Sequence, residues 1–129
     1  MKNTYECVHF FILSKGNNSG KPMETPCPNC FVCLCKDEEE KQRLYWLFYG
    51  LWQGMYFHPF LTGSVIPFIR LDDLKSVVKI ALVKIELKPL QFDKNISMVQ
   101  LLDKKAKVVQ EQIKLIKQAK KALMYQALK

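Results

Sequence analysis

Residues 99–128 read VQLLDKKAKVVQEQIKLIKQAKKALMYQAL, and this stretch decides the architecture of the chain. Its apolar residues alternate by three and four positions, the heptad spacing of a helix with apolar a and d positions. Over four heptads, the a and d positions are Val99, Leu102, Ala106, Val109, Ile113, Ile116, Leu123 and Ala127. Leu101, Val108 and Leu115 widen this apolar stripe, and Lys120 interrupts it at an a position. The pattern predicts one helix from about residue 91 to residue 128.

The predicted helix is long relative to the rest of the protein. It would extend for roughly 57 Å at 1.5 Å per residue, whereas a body of 90 residues has a radius of gyration of about 12 Å. Its stripe therefore needs a partner, either a second copy of the chain or the preceding helix. We expect a homodimer, with a monomeric helical hairpin as the alternative. The oligomerisation residues are Leu102, Val109, Ile116 and Leu123.

The first 90 residues show the patterns of a compact body with strands and helices. Residues 5–14 and 30–35 are rich in aromatic and β-branched residues and are predicted to be paired strands. The second is apolar on both faces, which is typical of a central strand. Residues 64–70 are predicted to form a further strand, placed at an edge or a bulge by Pro67. The intervening residues 15–28 are interpreted as a loop.

Two helices are predicted in this body, one before and one after the strand at 64–70. Asp37 is the expected N-cap of the first, which carries most of the aromatic residues. Asp72 or Asp73 is expected to cap the second, at 74–86, which the Lys88-Pro89 pair ends. The fold class is therefore α+β: a small sheet with helices, then a long amphipathic helix packed as a hairpin or coiled coil. The predicted domains are 1–90 and 91–129.

The net charge of +8 is concentrated at the C-terminal end. From residue 91 onward there are nine lysines and three acidic residues, so this segment alone carries +6. A polyanion such as DNA is the partner that this charge favours, and a solvated lysine face is the alternative. The candidate DNA-binding residues are Arg70, Lys75, Lys79, Lys104, Lys107, Lys114, Lys117 and Lys121.

Composition narrows the class of protein further. Apolar residues make up 49% of the chain, which argues against disorder. No apolar run reaches 18 residues, so we expect no transmembrane helix and no membrane partner. Glu6 and His9 interrupt the apolar run that a signal peptide would need, and we expect a cytoplasmic protein.

Cys27, Cys30, Cys33 and Cys35 form the most distinctive short motif. Cys27 and Cys30 have the C-x-x-C spacing of zinc ligands or a redox pair. Because no second C-x-x-C is present, structural thiols are the favoured interpretation, and we expect no cofactor. The chain also shows no Ser/His/Asp set or paired carboxylates, and we expect a protein that is not an enzyme.

One resemblance covers about residues 44–128. It consists of the aromatic helix from Tyr45 to Trp52, a loop to Gly63, the stretch Ile66-Pro-Phe-Ile-Arg-Leu-Asp-Asp-Leu-Lys75 and the long C-terminal helix. This order resembles half of a specificity subunit of type I restriction–modification systems, a target-recognition domain followed by a spacer helix. The chain also resembles small uncharacterised bacterial proteins. In place of the specificity subunits' Pro-x-Pro-x-x-Glu-Gln stretch, it has Lys88-Pro89-Leu90.

The resemblance implies DNA recognition and helix pairing, and it assigns no catalytic residue. The leading hypothesis is a non-catalytic, DNA-associated binding module that self-associates through its C-terminal helix. A protein–protein adaptor without nucleic-acid binding is the second hypothesis, and a small zinc or redox protein built on Cys27 and Cys30 is the third.

Overall fold

A computed structural model of the protein describes residues 7–129. The chain divides into two compact units, Met1–Leu87 and Lys88–Lys129. The first contains a small antiparallel sheet and two helices, and the second contains one long helix. The predicted α+β fold with a long C-terminal helix is therefore confirmed. The packing of that helix as a hairpin or coiled coil, and the separate folding of residues 1–90, stay predictions.

The sheet of the first unit has three strands, β1 (His9–Leu13), β2 (Pro22–Met23) and β3 (Cys30–Leu34). Their order is β2-β1-β3, and both pairings are antiparallel. The side chains of Phe10, Phe11 and Ile12 are buried, as expected for the central strand of a small sheet. The core of this unit is therefore built around β1.

The pairing of the first two predicted strands is confirmed, but two details are wrong. β3 is an edge strand instead of a central one, and Leu34 at its end is 56% exposed. β2 lies inside the predicted loop 15–28. The sequence does not reveal this strand, because two residues are too few to show an alternation of apolar and polar side chains. Tyr5 and Glu6, which belong to the predicted first strand, lie outside the described residues.

Helix α1 (Glu38–Gln53) begins where its capping sequence predicts. The Asp37 side chain accepts a hydrogen bond from the Glu40 backbone N–H at 2.8 Å. The Glu40 side chain in turn accepts one at 3.1 Å from the N–H of Lys36, the residue before the N-cap, in an arrangement similar to a capping box. The buried residues Leu47, Phe48 and Leu51 hold the helix to the core.

The segment after α1 differs from its prediction. His58–Phe60 forms a short 3-10 turn, and residues 64–70 form no strand. Phe68 makes only isolated bridges, to Lys15 and to Thr62. Pro67 has no N–H to donate to a ladder, which explains why pairing does not extend through this apolar stretch.

Helix α2 (Leu71–Leu87) begins one residue before the expected caps. Asp72 and Asp73 therefore lie in its first turn, where negative charge still complements the helix dipole. Helix α3 (Pro89–Ala127) starts two residues earlier than predicted. Pro89 occupies its first turn, where the missing N–H costs nothing. Within residues 7–129, no helix has the length and apolarity needed to cross a membrane.

Candidate functional site

The apolar stripe of α3 is exposed to solvent from Leu101 onward. Of residues 89–127, all of which the structure describes, none is buried. Val99, at the start of the stripe, is half-buried, and the large side chains at the later a and d positions are between 42% exposed, at Val109, and 66% exposed, at Leu123. The other large exposed side chains at these positions are Leu102, Ile113 and Ile116. A stripe of this extent is typical of a surface that binds another apolar surface.

Four of the five predicted DNA-binding lysines of α3 lie on the side away from this stripe, and Lys117 lies at its edge beside Ile113. Lys107, Lys114 and Lys121 are seven residues apart and share one heptad position, and Lys104 and Lys117 flank that row. All five are exposed. Lys107 forms an ion pair with Asp103 one turn away, with an N–O distance of 3.3 Å. α3 therefore presents an apolar face and a basic face on opposite sides.

The other predicted DNA-binding residues lie in the first unit. Arg70 immediately precedes α2, and Lys75 and Lys79 are one turn apart on it. All three side chains are exposed. They form a short basic row that is separate in sequence from the lysines of α3.

The aromatic residues around α1 mainly build the core. Phe48 stacks on Phe57 with ring centroids 6.0 Å apart, and Phe10 contacts Phe48 and Tyr45 edge to face. One cation contacts an aromatic face in this region, Lys21, whose Nζ lies over the Trp52 ring at 5.0 Å from its centroid. Lys21 is not among the residues that the sequence indicated as DNA-binding, because its contact with Trp52 joins positions that are distant in the chain.

The C-x-x-C motif forms a turn stabilised by backbone contacts. The Cys30 thiol donates to the Cys27 carbonyl at 3.1 Å, and the Cys27 thiol donates to the Asn29 carbonyl at 3.5 Å. All five cysteines are free thiols. Across residues 7–129, no three His, Cys, Asp or Glu side chains come together as a group that could hold a metal ion. Cys27 and Cys30 thus form a local turn here without the further ligands that a structural zinc ion needs.

Cys33 and Cys35 lie at the end of β3 and just after it. Burial, reinforced by the neighbouring Cys35 thiol, raises the pKa of Cys33 from 9.0 to about 12. Burial also raises the pKa of Cys35. Both thiols are therefore protonated at neutral pH, the inert form of a buried cysteine.

A pocket of about 300 Å³ lies between the loop after β1 and the end of α1. Trp52 supplies the large half-buried ring, and its indole N–H donates to the Asn18 side-chain oxygen at 3.4 Å. The lining residues are Asn17, Asn18, Ser19, Trp52, Gln53, Met55, Phe57 and His58. The sequence does not reveal this pocket, because its two sides lie more than thirty residues apart in the chain.

The chain belongs to a family of unknown function, DUF6943, whose model matches residues 1–126. No curated protein and no solved structure matches the chain. Because the family's description assigns no activity, the resemblance to specificity subunits stays a hypothesis.

Proposed function

We propose that this protein is a non-catalytic, cytoplasmic binding module that self-associates through α3 and binds DNA through its basic residues. The observation that carries the proposal is the exposed apolar stripe of α3 with a row of lysines on the opposite face. This arrangement allows one face of the helix to pair while the other remains available to a polyanion.

Self-association follows from the hydrophobic effect. An isolated helix is marginal in water, so packing is needed to hold most long helices. Pairing two stripes removes the Leu102, Val109, Ile116 and Leu123 side chains from water, and each buried aliphatic side chain contributes about 1.5–3 kcal/mol. Lys120 at an a position weakens the seam and selects its register.

DNA association follows from charge. Residues 91–129 carry +6, and the lysines of the basic face are spread over about 25 Å of helix. Neutralising phosphates with such residues releases counterions, which makes binding strongly dependent on salt and independent of sequence. Arg70, Lys75 and Lys79 add a second basic row in the first unit.

The test is duplex DNA binding measured over a range of salt concentrations. Lys107→Gln with Lys114→Gln should weaken binding to all sequences alike and reduce the salt slope by about two units, nearly one for each lost phosphate contact. Lys36→Gln with Lys84→Gln is the matched control, since it removes the same charge from exposed positions outside the proposed surface.

The variant with all five α3 lysines replaced by Gln extends this comparison. If its binding and salt slope equal those of the unmodified chain, these lysines are a solvated face and the DNA assignment fails. Self-association without salt-dependent DNA binding would instead identify a protein–protein adaptor.

A further inference from the structure

We propose that the pocket between Trp52 and the Asn17–Ser19 loop binds a nucleobase, carried either by a free nucleotide or by single-stranded nucleic acid. The pocket volume of about 300 Å³ lies at the lower end of the range for small-ligand sites. All its lining residues fall between 17 and 58, so the site is independent of α3 and does not rest on the proposed function.

Trp52 provides the stacking surface. Its indole N–H donates to Asn18, and its ring meets the Tyr49 ring edge to face with centroids 5.7 Å apart. Two contacts therefore fix the orientation of a ring that is only half-buried. Stacking of one base on such a ring contributes about 1–3 kcal/mol and tolerates any base.

The remaining lining groups suit the edge of a base. Asn17 and Gln53 each have an amide donor and acceptor, the pair of groups that recognises purine edges, and Asn18 adds an amide donor because its oxygen already accepts from Trp52. The Gln53 amide nitrogen lies 3.5 Å from the Tyr49 hydroxyl, and this contact does not use its amide oxygen. His58, which is exposed, adds a ring nitrogen.

The charges around the pocket favour an anionic ligand. Among the described residues that line it, none is acidic, and the Lys21 ammonium lies 5.0 Å from the Trp52 ring centroid. A cation over one face of this ring matches the phosphate that accompanies every nucleotide, and it leaves the opposite face for the base. Carboxylates that would hydrogen-bond the hydroxyls of a neutral sugar are not part of this lining.

The C-terminal cap of α1 forms part of the pocket wall. Met55 has a φ of +61°, and it is a non-glycine residue in the left-handed region. Backbone hydrogen bonds from Met55 N to Trp52 O and from Tyr56 N to Leu51 O maintain this conformation. These are the two bonds of a Schellman motif, so the left-handed residue that ends α1 also shapes this wall of the pocket.

The experiment follows Trp52 fluorescence in the full chain carrying Trp46→Phe, which leaves Trp52 as the sole tryptophan. AMP, GMP, CMP and UMP are titrated against ribose 5-phosphate, which carries the phosphate without a base. We expect saturable quenching by the nucleotides and none by ribose 5-phosphate at the same concentration. A dodecamer of deoxyadenylate that binds at least about tenfold more tightly than AMP identifies the single strand as the source, and equal affinity identifies the free nucleotide.

Substitutions test whether the residues that line the pocket bind the nucleotide. Binding is measured by polarisation of a fluorescent AMP analogue. Asn18→Ala and Gln53→Ala should each weaken binding about fivefold, and Trp52→Ala at least tenfold. Gln42→Ala is the matched control, an exposed amide on α1 outside the lining. Quenching by ribose 5-phosphate equal to that by AMP, no quenching by any nucleotide or by the dodecamer, or an equal loss in the Gln42 variant would overturn the proposal.

Discussion

Gly20 lies where the loop after β1 comes closest to the ring of Phe57. Its φ is +99°, and a Cβ at this position would lie 2.1 Å from a ring carbon of Phe57. Phe57 is one of the most deeply buried side chains of the first unit, at 2% exposure. The absence of a side chain at residue 20 therefore lets the aromatic core close against the loop that also forms one wall of the pocket.

Gly20→Ala should lower the free energy of unfolding by about 2–4 kcal/mol, because it combines backbone strain with overpacking against a buried ring. Gly16→Ala is the control, since Gly16 has a similar φ of +96° but nothing within 4 Å of its added Cβ. The control should lose only the strain, about 1–2 kcal/mol. Urea unfolding measures the free energy of unfolding of both variants. Equal losses would mean that the Phe57 ring does not exclude a side chain at residue 20.

Cys33 should resist alkylation in the folded chain. Its pKa of about 12 leaves a thiolate fraction at pH 8 that is about 1,000-fold smaller than at the ordinary pKa of 9.0. Iodoacetamide labelling followed by mass spectrometry should modify Cys33 slowly in the native chain and readily in urea. Equal rates in the two states would contradict the burial of this thiol.

The same pKa sets a pH dependence of stability. Between pH 9 and about pH 12, the unfolded chain releases the Cys33 proton while the folded chain retains it. The contribution of Cys33 to the free energy of unfolding is therefore lost as the pH rises through this window. Between pH 9 and about pH 12, the free energy of unfolding of the Cys33→Ala variant should therefore fall less steeply with pH than that of the unmodified chain. Urea unfolding at several pH values measures both.

Single residues could be predicted from the sequence where the interaction is local. Asp37 caps α1 because the bond to Glu40 spans only three residues, a spacing that the sequence displays. The pocket could not be predicted, because Trp52 and Asn18 are 34 residues apart and meet only after the sheet and α1 have packed. The turn residues Asn17 and Asn18 carry no sequence signal that distinguishes a ligand contact from an ordinary loop.

At the scale of elements, heptad periodicity predicted α3 to within two residues at each end. Periodicity did not identify β3 as an edge strand, because an apolar strand is compatible with either position when its neighbours are unknown. It also failed at residues 64–70, where an extended apolar stretch makes only isolated bridges. Strand order and pairing depend on contacts distant in sequence, which local patterns do not encode.

Ile116→Glu with Leu123→Glu should dissociate self-associated chains while the first unit remains folded. A carboxylate forced into each seam position costs about 1–3 kcal/mol or more in each chain. Gln118→Glu with Tyr125→Glu is the control, with the same spacing and two added carboxylates on the opposite face. Size-exclusion chromatography and circular dichroism measure the outcome. Unfolding of the whole chain by the first pair would place the stripe in an intramolecular core.

At the scale of the whole molecule, composition and pattern predicted the α+β class and a separate basic helix. They did not establish what the molecule binds, because an exposed row of lysines can either bind DNA or serve only as a solvated surface. The structure shows the apolar and basic faces on opposite sides of α3, and it shows the pocket in the first unit. Self-association is the claim on which the proposed function depends.

Sedimentation equilibrium of the unmodified chain tests that claim most directly, at concentrations from about 1 to 100 μM, a range that detects micromolar association. The account predicts a mass that rises with concentration toward twice that of one chain, because pairing covers the exposed positions of α3. A mass of one chain throughout this range would contradict it.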